Sequence, residues 1–486
     1  MSDTSTSHQP HAVAVKFTML LAGTVFLLMM ILGLLMRSAQ GNLIHMEPEL
    51  FYQVLTAHGA GMVGAAALSG AAILWYFIAR YVPLLISVYW AFIGLFLLGV
   101  VLILGSIFIG GFAGAWTFLF PLPAMSGGAW NATAAATFIL GYTSIGVGFL
   151  LYYLEVGRKL IAAYGGISGA LGWPLAFGGG SAENAPPPAV IAAMATTIFN
   201  VIGIVVGAAV LVSSLVHLLV PGFAVDALLA KNMIYFFGHV FINASIYMAV
   251  IAVYEIIPKY TGKAWKASRV FVLSWNAVLL LVMAVYPHHL LQDLVMPSWA
   301  LVMGQIVSYL SGIPLLAVTA FSLLYYLRSA KVEWDLASAL LVLGVAGWSI
   351  GSVPAIIDGM IVVNKVMHNT QWVPGHFHIY LILGEVAMSF GFMAWLVKDS
   401  RRQTLDGLDR AAFGAYVLGG IGFTAMFLVS GALSVPRRWA VHVPEWFLQN
   451  RLASFFAALI IVSVVMFIIR FGLGISRRGR AHGSAS

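Results

Sequence analysis

Of the 13 histidines in the chain, six stand in motifs whose composition and spacing suit metal ligation. Two of them close the stretch His368-Asn-Thr-Gln-Trp-Val-Pro-Gly-His376-Phe-His378. Two residues on a helix are separated by about 200°, so His376 and His378 point to opposite sides and one helix can serve two centres. The others are His58 in Leu55-Thr-Ala-His-Gly59, His239 in Phe237-Gly-His-Val240, and the adjacent pair His288-His289 after Tyr286-Pro287. Three or more imidazoles suit copper, zinc or iron, and two axial imidazoles suit a low-spin haem. The chain has no cysteine. That excludes a disulfide, a thiolate-bound copper, an iron–sulfur cluster and a covalently attached c-type haem, and leaves His, carboxylate or Met to hold any metal.

The elements that must position these side chains are membrane helices. The 486 residues are 61% hydrophobic and only 8% charged, with a mean hydropathy of +0.98, the composition of a polytopic membrane protein. Apolar runs predict twelve spans, at about residues 15–36, 51–79, 84–108, 132–155, 190–218, 231–257, 268–287, 299–328, 337–358, 375–398, 410–434 and 452–474. The expected fold is therefore an all-α membrane protein, a bundle of about 12 transmembrane helices, in one domain over residues 15–474. Residues 1–14 read as a polar N-terminal tail without the pattern of a removable signal peptide, and residues 475–486 as a basic C-terminal tail. An even number of spans puts both termini on one side. Six of the 24 Lys and Arg (Arg37, Lys231, Lys365, Arg437, Arg438 and Arg451) fall in loops of the opposite side, and the other 18 on the terminal side. The positive-inside rule then makes both termini cytoplasmic in an inner or plasma membrane. Topology of this kind accounts for the net charge of +8, and nucleic acid is not an expected partner. The run Ala176-Phe-Gly-Gly-Gly-Ser lacks the Lys-Ser/Thr of a phosphate cradle and reads as a flexible inner loop.

With this topology all six histidines fall in the outer third of the membrane, although the charge count that set it made no use of them. A lone intramembrane histidine ordinarily bonds one helix to another. A transporter's proton relay would string histidines across the bilayer, whereas these gather at one level. His45, His217 and His442 belong to no such motif and read as loop or interface residues.

His58-Gly59, Gly238-His239, His288-His289 and Trp372-Val-Pro-Gly-His-Phe-His378 together resemble the catalytic subunit of haem–copper oxidoreductases, the cytochrome c oxidase subunit I family. The stretch from His368 to His378 and the later Val435-Pro-Arg437-Arg438 are most similar to its B branch. The resemblance covers essentially all twelve spans. It implies two haems and one copper ion. His58 and His378 would be axial ligands of a low-spin haem, His376 the proximal ligand of a high-spin haem, and His239, His288 and His289 the copper ligands. Arg437 and Arg438 would pair with haem propionates, a task suited to the bidentate guanidinium, and His368 would reach the same layer. It further implies electrons entering on the outer side from a partner subunit with a cupredoxin or c-type cytochrome domain, or from a quinol.

One position departs from the family pattern. Oxygen-reducing members of the B branch carry a tyrosine, cross-linked to the first copper histidine, one turn beyond it; this sequence has Asn243. The C branch draws its tyrosine from the next helix, where this sequence has Val282. Breaking the O–O bond in one step takes four electrons, of which the metals supply three and the tyrosine the fourth. Reducing two nitric oxide molecules to nitrous oxide and water takes two, which haem iron and copper can supply together. The expected function is nitric oxide reduction, with Asn243 offering a hydrogen bond to a bound N–O species. The alternatives are a terminal oxidase reducing oxygen to water, using Tyr247 or Tyr286 instead, then a haem-binding sensor or a proton-coupled transporter. Tyr254 resembles a member of the B branch's proton path, but Val250 replaces a polar one. Glu385 lies seven residues past His378, expected on the same face and about 10 Å deeper. Asp358 reads as a solvated carboxylate, and Tyr309, Thr319 and Ser322 could line a path or bond between helices.

Overall fold

Asparagine, aspartate and serine start five of the membrane helices. The side chains of Asn131, Asp226, Ser268, Asp335 and Asp406 each accept a backbone N–H from the first turn that follows, replacing bonds the helix itself cannot make. At Asp335 the arrangement is a full capping box, with the Ser338 hydroxyl returning to the Asp335 N–H. In the computed structural model, which describes residues 9–220, 222–398 and 404–483, twelve helices are long and apolar enough to cross a membrane. They are α1 Gln9–Gln40, α2 Pro48–Ile78, α3 Ile86–Phe108, α4 Ala132–Ala163, α5 Pro188–Leu219, α6 Ala227–Thr261, α7 Arg269–Leu290, α8 Ser298–Arg328, α9 Leu336–Asp358, α10 Trp372–Leu396, α11 Gly407–Ala432 and α12 Pro444–Arg477. Every expected span has its helix. The first residues of the polar tail, Arg401, Arg402 and the last residues of the basic tail lie outside the described residues. No strand occurs among the described residues, only an isolated bridge between Thr370 and Pro436.

Burial sorts the helices into a centre and a ring. In α2, α6 and α10, 78%, 78% and 83% of the most apolar stretch is buried, against 44% or less in the other nine. The three that carry His58, His239, His376 and His378 are thus the axis of the bundle, and α2 packs directly on α6. Around them run consecutive antiparallel pairs: α3 with α4, α5 with α6, α9 with α10, and α11 with α12, while α1 closes the ring against α2 and α12. The histidines gather at the end where α2, α6 and α10 begin and α7 ends.

Two helices depart from α geometry next to this centre. α7 finishes in a 3-10 turn, Tyr286–Leu290, set by Pro287, which has no N–H to continue the α ladder. In α10 the residues Ile379–Val386, which directly follow His378, are π-helical, and α8 holds a shorter π segment at Leu316–Ala320. A bond from i to i+5 takes an extra residue into each turn, so residues beyond His378 face differently from what an α-helical period gives.

At the opposite end Asp335 also bonds the Tyr260 hydroxyl through both carboxylate oxygens and pairs with Lys398 at 2.8 Å, tying α6 and α10 to the start of α9. Asp335→Ala is expected to lose about 1–2 kcal/mol and to lower the thermal unfolding midpoint of the detergent-solubilised protein. Asp335→Asn retains a capping oxygen, so its midpoint should fall less; equal losses would assign the stabilisation to the ion pair instead.

Candidate metal centres

His58 and His378 face each other across the centre of the bundle, their ring centroids 6.3 Å apart and their planes within 17° of parallel. Each ring is held by its Nδ1. His58 Nδ1 donates to the Met29 carbonyl of α1 at 2.6 Å, and His378 Nδ1 to the Pro374 carbonyl at 2.6 Å. A neutral imidazole that donates from Nδ1 keeps its lone pair on Nε2, the arrangement usual for a metal-bound histidine. The separation accommodates one metal atom with a bond of about 2.0–2.1 Å to each ring. Gly33 on α1 makes the approach possible, because a Cβ there would lie 2.9 Å from His58 Cε1. Phe427 stacks on the far side of His378, with centroids 4.8 Å apart.

The second cluster is drawn from two helices. His239 Nδ1 lies 3.1 Å from His289 Nε2, and His288 Nε2 lies 3.1 Å from the same atom. One ligand atom of each ring falls within 4.8 Å of the others. Three ring nitrogens gathered this closely have the composition and spacing expected of a three-imidazole copper site. The 3-10 turn presents the consecutive His288 and His289 together, and α8 supports them from behind. Gly304 abuts the backbone, since a Cβ there would be 2.8 Å from His288 N, and the Ser308 hydroxyl bonds His288 Nδ1, leaving Nε2 for the cluster.

Both clusters, and His376, line one cavity of about 410 Å³. His376 Nδ1 is buried without a hydrogen bond, 3.9 Å from an Asp358 carboxylate oxygen. Asp358 is buried and lines the cavity, accepting from Asn364 Nδ2 at 3.1 Å; the expectation of a solvated carboxylate is corrected, because the loop after α9 folds over it. Arg437 and Arg438 also line the cavity. Burial, then the charge of Arg438, pulls the Arg437 guanidinium down to about 10, so it stays charged at neutral pH. Arg437 is largely withdrawn from water while Arg438 is exposed, and haem propionates are anions of the right charge and kind for adjacent guanidinium groups at the cavity wall. His368 lines the same cavity; burial first, and then the two arginines, hold it down to about 4, so it is neutral there and would contribute an N–H and no charge.

A family model described as Cytochrome C and Quinol oxidase polypeptide I matches residues 13–475. The chain belongs to the subunit I family of haem–copper oxidases. Among its relatives are Cytochrome c oxidase subunit 1 of Thermus thermophilus, 26% identical over 51% of this chain and 48% of that one, and Heme-copper oxidase subunit I+III of Aeropyrum pernix, 24% identical over 52% and 31%. The Probable quinol oxidase subunit 1 of Staphylococcus aureus is 25% identical over 50% and 37%. The matched region thus spans less than half the length of these curated relatives. A cryo-EM structure of a heme-copper terminal oxidase dimer has the same fold, with a TM-score of 0.75 and 21% identity over 95% of this chain and 84% of that one.

Within this haem–copper oxidase subunit, Asn243 takes a position the sequence did not disclose. Its amide nitrogen lies 3.0 Å from His239 Nε2 and 2.8 Å from the His239 carbonyl, so both its hydrogens are directed at His239. It steadies the ring nitrogen that faces away from the other two histidines. A half-turn of the amide offers oxygen in place of nitrogen, so it can serve either tautomer of that ring. Glu385, in the π segment, is fully buried and accepts from Ser245 of α6 at 2.9 Å. His45 is exposed beside Glu47, whereas His217 and His442 are buried; none of the three lines the cavity.

Sequence reasoning passed over several residues. Arg37 lines the cavity and bonds Gln371 and Asn450, with its guanidinium 4.6 Å from the Phe427 ring. Trp116, from the loop after α3, reaches the cavity over Gly59, where a Cβ would be 2.6 Å from its ring. Gly304 and Ser308, four residues apart on α8, were the one legible signal, small residues on one face of a helix.

Removing the hydroxyl in Ser308→Ala frees His288 Nδ1 and is expected to weaken copper retention about 10–100-fold, read as copper content after dialysis against a chelator. The haem spectrum should be unchanged. His378→Ala should instead remove the low-spin haem absorbance; retention of that absorbance would exclude His378 as its ligand.

Proposed function

We propose that this chain is the catalytic subunit of a membrane haem–copper oxidoreductase that reduces nitric oxide to nitrous oxide. The observation that carries the reading is Asn243, whose amide occupies the His239 Nε2 position at 3.0 Å. When bound, a haem between His58 and His378, a haem on His376 and a copper held by His239, His288 and His289 would supply the redox chemistry. Two nitric oxide molecules, two electrons and two protons give one nitrous oxide and one water. No side chain has to be oxidised. Oxygen to water needs four electrons and four protons, and an amide at this nitrogen can contribute neither.

The protein's own groups have separate tasks. Ser308 and Asn243 orient two of the copper histidines, the Met29 and Pro374 carbonyls fix the axial pair, and Arg437 and Arg438 would receive the propionates. Ile234, Ile242, Ile246, Val282 and Val285 give the cavity an apolar wall suited to a small uncharged gas. The electron donor, by this reading, docks near the histidine end, as a cupredoxin or c-type cytochrome domain or a quinol.

A second reading, oxygen reduction, is favoured by one observation: Tyr247 also lines the cavity, one turn past Asn243. Tyr286 does not serve it, since its hydroxyl donates to Asn232 at 3.0 Å and its ring is absent from the cavity wall. The deciding experiment gives the purified, reduced complex nitric oxide without oxygen, then oxygen with the same donor. Rapid nitric oxide loss with stoichiometric nitrous oxide and little oxygen uptake is expected. Faster oxygen reduction to water would overturn the assignment, and loss of that activity in Tyr247→Phe would identify the replacing phenol.

A further inference from the structure

Below the cavity lies a group of polar side chains that no redox role uses. The cavity wall includes Ile242 and Ile246 of α6 and Ile382 of α10. Glu385 stands three residues beyond Ile382, and Ser245, its hydrogen-bond partner, lies between the two α6 isoleucines in sequence. Glu385 Oε1 has no partner, although the side chain is completely buried. The Tyr153 hydroxyl of α4, which donates to Met248 Sδ at 3.1 Å, neighbours both Glu385 and Asn200 of α5. Asn200 is completely buried, and neither its amide oxygen nor its nitrogen makes a hydrogen bond.

Thr196 and Thr197, one turn before Asn200, are buried and their hydroxyls also lack partners. This is unusual within the same protein. Thr18, Thr143 and Ser214 each bond the carbonyl four residues back, the ordinary resolution for a hydroxyl on a membrane helix. Thr197 and Tyr153 also line a crevice of about 550 Å³ between α4 and α5, whose wall includes Arg158. The Arg158 side chain is 61% exposed and pairs with Glu155. It marks the end of the bundle away from the histidines.

Buried polar atoms without protein partners are where internal water binds, and here they form a succession from the crevice to the cavity wall. An intramembrane carboxylate at the head of such a succession has the means to take up and release protons. We propose that Glu385 carries protons to the gas-binding cavity from the Arg158 end of the bundle, through water held by Thr197, Asn200 and Tyr153. Each proton binds a Glu385 carboxylate oxygen and leaves past Ser245, so the carboxylate is regenerated and no electron passes through it. The proposal rests on the cavity being a gas-reducing centre, but it holds for either gas. It differs from a path along α6 and α8, where the Tyr254 and Thr319 hydroxyls bond each other at 2.7 Å and the buried Val250 intervenes before Tyr247.

The test uses the complete purified complex, as wild type and as Glu385→Gln, Glu385→Asp, Asn200→Leu, Thr197→Val and Thr319→Val, each checked for haem spectrum and copper content. In vesicles with a pH-sensitive dye, Glu385→Gln and Asn200→Leu should slow proton uptake and turnover at least tenfold. Glu385→Asp should recover part of the rate, and Thr319→Val should change it less than twofold. Wild-type rates in Glu385→Gln, or a block in Thr319→Val alone, would overturn the proposal. Infrared spectroscopy supplies a readout that needs no turnover, the hydrogen–deuterium exchange of the Glu385 carboxyl after transfer to heavy water. Slower exchange in Asn200→Leu and Thr197→Val supports the route even if the complex reduces neither gas, or if Glu385→Gln fails to fold. Unchanged exchange in both overturns it.

Discussion

The bundle is built around one requirement: four histidines between membrane helices, His58, His239, His288 and His378, must each be oriented by a partner on one ring nitrogen. A histidine in solution lets water satisfy either nitrogen and either tautomer. Between membrane helices the choice is made by the protein. The Met29 and Pro374 carbonyls take the Nδ1 hydrogens of His58 and His378, and Ser308 takes up His288 Nδ1. Asn243 sits on His239 Nε2. The same device serves the His58–His378 pair and the three-imidazole cluster.

That device demands close approach, and the sequence supplies it through small residues and irregular backbone. Gly33 admits the His58 ring to α1, Gly59 admits Trp116, and Gly304 lets α8 lie on the backbone of the His288 turn. Pro287 ends the α ladder so that two consecutive histidines project together, and the π segment after His378 turns the rest of α10 to a new register.

One division explains what could be read in advance. Twelve spans follow from runs of apolar residues, and the six histidines from residue type and common depth, both properties of a single stretch of chain. Who touches whom across helices is not such a property. Ser308 reads as one more serine on a membrane helix until α7 is placed against it, and Arg37 as a loop charge until α1 is seen to end beside Phe427. Asp358 reads as solvated because its cover, Asn364, comes from a loop with no legible shape. The partner of Glu385 was not legible because a helical period of 3.6 does not hold through the eight π-helical residues Ile379–Val386.

The two departures on α6 belong together. Residues 243, 247, 250 and 254 fall near one face of that helix, and on it Asn243 and Val250 stand where the resemblance to the B branch implies a tyrosine and a polar residue. A tyrosine at the first site would have to be reprotonated on every cycle, and a polar residue at the second would extend the Tyr254–Thr319 pair toward it. With an amide at 243 nothing on that face changes its protonation, so an apolar valine there carries no penalty. Protons consumed with the substrate still have to arrive, however. Ser245, between the cavity-lining Ile242 and Ile246 in sequence, is where that helix meets a buried carboxylate. On the proposed reading, an amide at 243 and a valine at 250 both suit a centre that reduces nitric oxide, and the carboxylate that meets α6 at Ser245 is the group left to carry protons.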